Sequence, residues 1–197
     1  MSKSDPASSK KERWKTIRWV ITIFVVTIVV SATISFASTE LMELSSMVFK
    51  FIILLIIIFV GIIFDIIGVA VTSAEEKPFH SMASRKVSGA QEAIVLMRNA
   101  ERVSSICNDV IGDICGVISG SAAASIAAQI IPNFSGSLDE IIMLGMSALV
   151  AGLTVGGKAV GKTFAIGSCT KIVFSVGKGI WFFRNPSLAF RRKNKKR

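Results

Sequence analysis

Four stretches of this chain are long enough and free enough of charge to cross a lipid bilayer. That limits its fold more than any other feature. Trp19 to Thr39 carries no ionisable side chain. Phe51 to Phe64 is a second such run, interrupted by Asp65 and resumed to Ala74. Ile114 to Leu138 is the third and Ile141 to Gly157 the fourth. A helix of about 20 apolar residues matches the hydrocarbon thickness of a membrane. In that solvent the backbone must satisfy its own hydrogen bonds, which a helix does within one segment. The expected fold is therefore all-α, an integral membrane bundle of four spans with interfacial helices. Composition agrees: 51% of the 197 residues are hydrophobic and the mean hydropathy is +0.62. That length holds one four-helix membrane domain and no large soluble one.

The spans are expected at about 14–36, 47–74, 103–131 and 138–160, within a transmembrane domain of residues 13–162. Residues 1–12, rich in Ser and Lys, read as a disordered basic N-terminus. Glu40 and Glu43 mark a short acidic loop. Residues 75–102 are polar and read as surface helices. Within them Ser88-Gly89-Ala90-Gln91 has the form of a capping box. Val87, Ala90, Ile94 and Met97 then share one face of an amphipathic helix. Pro132 to Gly136 reads as a turn, and Ser137-Leu138-Asp139-Glu140 as the cap of the last span. Residues 163–197, with Lys171, Lys178, Trp181 and Phe182, read as an interfacial helix and a basic tail.

The net charge of +10 is unevenly placed. Lys10, Lys11, Arg13, Lys15 and Arg18 precede the first span, and Arg191, Arg192, Lys193, Lys195, Lys196 and Arg197 end the chain. Basic clusters beside apolar spans fit anionic lipid headgroups and the positive-inside rule. No nucleic-acid-reading motif accompanies them, so nucleic acid is not an expected partner. Lys/Arg bias puts both termini and residues 75–102 on the cytoplasmic side of a cell membrane. The acidic loops at Glu40/Glu43 and Asp139/Glu140 then face outward, and four spans satisfy every loop. The first apolar run, ending in Ser35-Phe36-Ala37-Ser38, also has the form of a signal peptide. A retained first helix is the preferred reading.

Three cysteines, Cys107, Cys115 and Cys169, form no CxxC or Cys/His pattern, and His80 is the one histidine. Zinc and thiol-redox chemistry are not expected. Nor is catalysis, since no nucleophile–base set is apparent. Gly156-Gly157-Lys158-Ala159-Val160-Gly161-Lys162-Thr163 fits the P-loop pattern. A P-loop needs a strand ahead of it, whereas Ile141 to Val155 reads as a membrane helix. The pattern reads instead as a small-residue seam ending in lysines. Gly112, Gly116 and Gly120 form a second seam, and Gly116 and Gly120 are expected at a close helix–helix contact, within the fold or in a homodimer.

Asp65, Asp109 and Asp113 are the unusual residues, because ionisable groups inside spans are costly and commonly line an ion path. Asn108 stands beside Asp109, and Asp113 follows one turn later. Carboxylate and amide oxygens suit a hard cation such as Mg2+. The same residues equally serve as a polar network tying helices together, with Lys158 as counter-charge.

From Gly61 to about Lys162 the chain resembles the transmembrane domain of the cyclin M / CorC (CorB) magnesium-transporter family. Phe64, Ala70 and Ser73 match its Phe-Ser-Gly/Ala-x-Glu-x-Ala-x-x-Ser pattern. Ile94 to Arg102 stands where that family approaches its next span. Cys107-Asn108 takes the place of a Gly-Asn pair. Gly157-Lys158-Ala159-Val160-Gly161-Lys162 aligns with its Gly-Glu-x-x-Pro-Lys motif. The departures are that Asp65 replaces a serine, Lys158 an acid and Gly161 a proline. The chain also leaves no room for the family's cytoplasmic paired nucleotide-sensing modules.

Together with this resemblance, the intramembrane polar residues lead to the expectation of divalent-cation, Mg2+, binding or transport through Asp65, Asn108, Asp109 and Asp113, and the small-residue seams suggest a homodimer. A fixed positive charge at Lys158 opposes cation binding unless one of the acids neutralises it. The alternative is a non-transporting membrane scaffold or accessory subunit with a Lys–Asp network in the bundle.

Overall fold

A computed structural model describes residues 6–43, 46–130 and 138–185. All regular structure among the described residues is helical. The elements are α1 (Pro6–Glu43), α2 (Met47–Ser73), α3 (Glu76–Ser84), α4 (Ala90–Arg98), α5 (Ala100–Ser105), a π-helical turn (Ile106–Gly112), α6 (Asp113–Ile130), α7 (Leu138–Gly167) and α8 (Cys169–Arg184). Four stretches are long and apolar enough to cross a membrane: Thr16–Glu40, Met47–Ser73, Ala100–Ile130 and Glu140–Gly167. The chain is thus an all-α bundle with the length and composition of a multi-pass membrane protein.

The helix ends differ from those read in the sequence. α1 begins at Pro6, inside the stretch expected to be disordered. Proline suits the first helical position, and the Lys and Glu residues that follow are good helix formers. α1 also continues through Glu40 to Glu43, so the expected acidic loop is its last turn. α7 runs to Gly167, past the expected end near 160. The expected turn at 132–136 and Ser137 lie outside the described residues. α4 starts at Ala90 with Gly89 as its N-cap, where Ser88 was expected to hold that position. Gly89 has φ +90°, a conformation that L side chains rarely adopt, so the chain turns on glycine geometry there.

α2 is the hub. It packs against α5, the π turn, α6, α7 and α8. At one end Leu54, Ile58, Ala122, Ala123, Ile126 and Val150 join α2, α6 and α7. At the other, Ala70 and Val71 meet Phe79, Ala93, Ile94, Met97, Ala165 and Val173. This second cluster docks the surface helices α3, α4 and α8 onto the bundle. Ala90, Ile94 and Met97 are buried as the amphipathic pattern requires, while Val87, ahead of the helix, is exposed. Gly177 seats α8 on α4: a Cβ there would stand 2.6 Å from the Gly89 carbonyl oxygen.

α1 lies along α6, where Ile23 and Val30 cover Val110, Ile114 and Ile118. The Arg102 guanidinium sits 5.0 Å over the Trp19 ring and ties α1 to the start of the third span. α1 and α7 expose most of their apolar side chains, including Phe24, Val25, Leu144 and Val155. In water such surface would drive association; in a bilayer it is the lipid-facing side.

Only part of the glycine seams is a contact. A Cβ at Gly157 would overlap Ile62, and one at Gly161 would stand 2.9 Å from Ile66. These two glycines let α7 approach α2. Gly116 and Gly120 face open space within the protomer, as do Gly152 and Gly156. The expected close contact at Gly116 and Gly120 is therefore not made inside the fold.

Candidate functional site

Gly61, Asp65 and Gly68 lie four and three residues apart, so they share one face of α2. All three are buried. That face looks onto the π turn and the start of α6. A Cβ on Gly61 would stand 2.9 Å from Cys115 Cβ and 3.9 Å from the Gly112 carbonyl oxygen. A Cβ on Gly68 would overlap the Asn108 amide. Asp65 stands between these two close approaches, 4% exposed.

Asn108 is oriented from its own helix. Its Nδ2 donates to Ser104 Oγ at 3.2 Å. The amide oxygen is left directed at α2. That Oδ1 is buried with no hydrogen-bond partner, and so is Asp65 Oδ2. They are the two orphaned buried side-chain oxygens among the described residues. An unsatisfied buried acceptor costs about 1–3 kcal/mol, more when charged, so native structures seldom keep one without water, ion or proton to meet it. Two at one interface call for a proton, a water or a cation between α2 and the π turn.

The expected quartet does not converge. Asn108 and Asp109 are adjacent in the π turn and lie on different sides of it. Asn108 points inward. Asp109 is exposed and accepts from Ser105 Oγ at 2.8 Å. Asp113 is exposed as well. No group of three or more His, Cys, Asp or Glu side chains converges among the described residues. Any cation at this interface would be held by Asp65 and Asn108, with water or backbone oxygen completing the shell.

Lys158 arrives from α7. Its ammonium donates to the Gly112 carbonyl at 3.4 Å, on the level of Gly61 and one turn from Asp65. It forms no ion pair with Asp65, Asp109 or Asp113; the ion pair found among the described residues is His80–Glu76. A closed Lys–Asp network is thus not made. Lys158 instead spends its charge on the Gly112 carbonyl and satisfies neither orphaned oxygen.

The sequence reading passed over two features of this molecule. Ser104, which orients Asn108, has no signature beyond its i−4 spacing. Lys50, next to the uncharged run that starts at Phe51, is 5% exposed and donates to Gln129 Oε1 at 2.7 Å. A buried lysine at the start of a span was the available signal.

No family model, curated protein or solved structure matches this chain.

Proposed function

We propose that this membrane protein binds a hard cation, Mg2+ by the chemistry of the ligands, between Asp65 and Asn108, and that it carries the ion across the bilayer. The reading rests on one observation: Asp65 Oδ2 and Asn108 Oδ1 are buried at the same interface without a partner. Mg2+ keeps several waters and commonly uses one or two carboxylates, so one carboxylate and one amide are a sufficient protein share. The resemblance to the cyclin M / CorC family supports the same reading at Asn108, which stands in place of the family's Gly-Asn asparagine.

In this reading Lys158 is a built-in competitor. Without the ion the Lys158 ammonium rests on the Gly112 carbonyl; a cation at the two oxygens repels that ammonium and moves it away. Ion entry and lysine position are then coupled, which gives a carrier two states to alternate between.

The second reading is a scaffold or accessory subunit. It is favoured by the Lys158–Gly112 hydrogen bond, which ties α7 to the third span without any ion. Flux separates the two. Purified protein in liposomes holding a Mg2+-sensitive dye should admit Mg2+ down an imposed gradient, and Asp65→Asn should abolish the signal. Equal leak from wild type, Asp65→Asn and empty liposomes would favour the scaffold.

A further inference from the structure

A second polar site lies at the opposite end of the bundle from α3, α4 and α8. Lys50 is the fourth residue of α2 and is buried. Its ammonium has one partner among the described residues, the neutral Gln129 of α6. Lysine offers three donors, so two remain. Its position is electrostatically wrong for a cation, because the N-terminal turn of a helix carries the positive end of the helix dipole. Glu40 of α1 is exposed and forms no ion pair with it.

Beside Lys50 is a cavity of about 350 Å³, within the range of about 300–1,000 Å³ typical of small-ligand sites. Ser35, Ser38 and Thr39 line it from α1, and Ser121 and Ser125 from α6. Thr39 and Ser121 spend their hydroxyl protons on the Ser35 and Ile118 carbonyls. The hydroxyls of Ser35, Ser38 and Ser125 make no hydrogen bond among the described residues and are free to donate or accept. Among the described residues, one buried ammonium and three unbonded hydroxyls line the cavity with no carboxylate paired to the charge. A tetrahedral oxyanion would offset the charge of the ammonium and accept from the hydroxyls as well.

We infer that the Lys50 cavity binds a phosphate group. α1 ends, α2 begins and α6 ends at this level, which in a four-span bundle is the membrane–water boundary where lipid phosphates lie. A lipid headgroup and free phosphate share the chemistry, and experiment distinguishes them. The full chain is melted in neutral detergent with added phosphatidylglycerol, phosphatidylcholine, or inorganic phosphate replacing chloride at constant ionic strength.

Phosphatidylglycerol is expected to raise the midpoint by about 5–10 °C at roughly one hundred times its dissociation constant, with phosphatidylcholine and chloride without effect. The same rise with inorganic phosphate would assign the site to free phosphate, and no rise with it would assign the site to lipid. Lys50→Arg should keep the response and Lys50→Met should lose it. If Lys50→Met does not fold, the paired Ser38→Ala and Ser125→Ala substitution takes its place and should weaken the response. A wild type indifferent to both phosphatidylglycerol and phosphate overturns the site. So does a response undiminished in Lys50→Met or, where that variant does not fold, in the paired serine variant.

Discussion

The Asn108 amide oxygen rests against the α-carbon of Gly68, so closely that position 68 has no room for a side chain. This contact brings the π turn onto α2 and sets one orphaned oxygen near the other, on Asp65. Gly68→Ala should therefore push Asn108 away. Overpacking of a tight contact costs about 1–3 kcal/mol, which for a chain of this size lowers the melting midpoint by roughly 2–12 °C. A Gly68→Ala protein that melts like wild type would mean the amide moves aside freely.

The glycine seams give a graded series. Gly161→Leu drives a branched side chain into Ile62 and Ile66 and should destabilise the protomer by about 1–3 kcal/mol or more. Gly116→Leu, facing open space, should stay within about 0.5 kcal/mol of wild type in dilute detergent where the chain is monomeric. Thermal melts of both variants check the order. If size-exclusion chromatography with light scattering finds a wild-type dimer that Gly116→Leu dissociates, the open seam is the dimer contact.

Gly89 joins the surface helices through a backbone conformation that L side chains rarely adopt. A non-glycine residue there pays about 1–3 kcal/mol in strain, and its Cβ would also meet the Lys178 backbone at 2.6 Å. Gly89→Ala should loosen α3, α4 and α8 while leaving the spans intact. Hydrogen exchange should rise in residues 76–98 and 169–184 and stay unchanged in 50–65.

Orientation follows from the basic segments. In a background without Cys107, Cys115 and Cys169, single cysteines at Glu43 and Ser135 should react with an impermeant reagent added outside the cell, and one at Ser84 should not. Labelling at Ser84 alone would invert the topology.

The spans were legible because a charge-free run of bilayer length has few other readings. Their ends were not, since Glu40 to Glu43 and Lys10 to Glu12 favour helix as readily as loop. The amphipathic α4 was readable from Ala90, Ile94 and Met97. The face of each glycine seam was not, because small-residue spacing names a stripe and not its partner. Asp65 and Asn108 could be picked out as anomalies, but which polar residues of the third span turn inward could not, since Asn108 and Asp109 are adjacent and only packing against α2 decides between them. Lys50 was hidden by its place at the border of an apolar run.

Cation binding at Asp65 and Asn108 is tested most directly by melting wild type, Asp65→Asn and Lys158→Met with and without Mg2+. Mg2+ should stabilise the wild type, and Asp65→Asn should remove that gain. Lys158→Met, freed of the competing ammonium, should gain more; a tenfold rise in affinity is worth about 1.4 kcal/mol at saturation. A wild type indifferent to Mg2+, together with a Lys158→Met protein that melts lower in both conditions, would contradict cation binding and leave Lys158 as a structural tie.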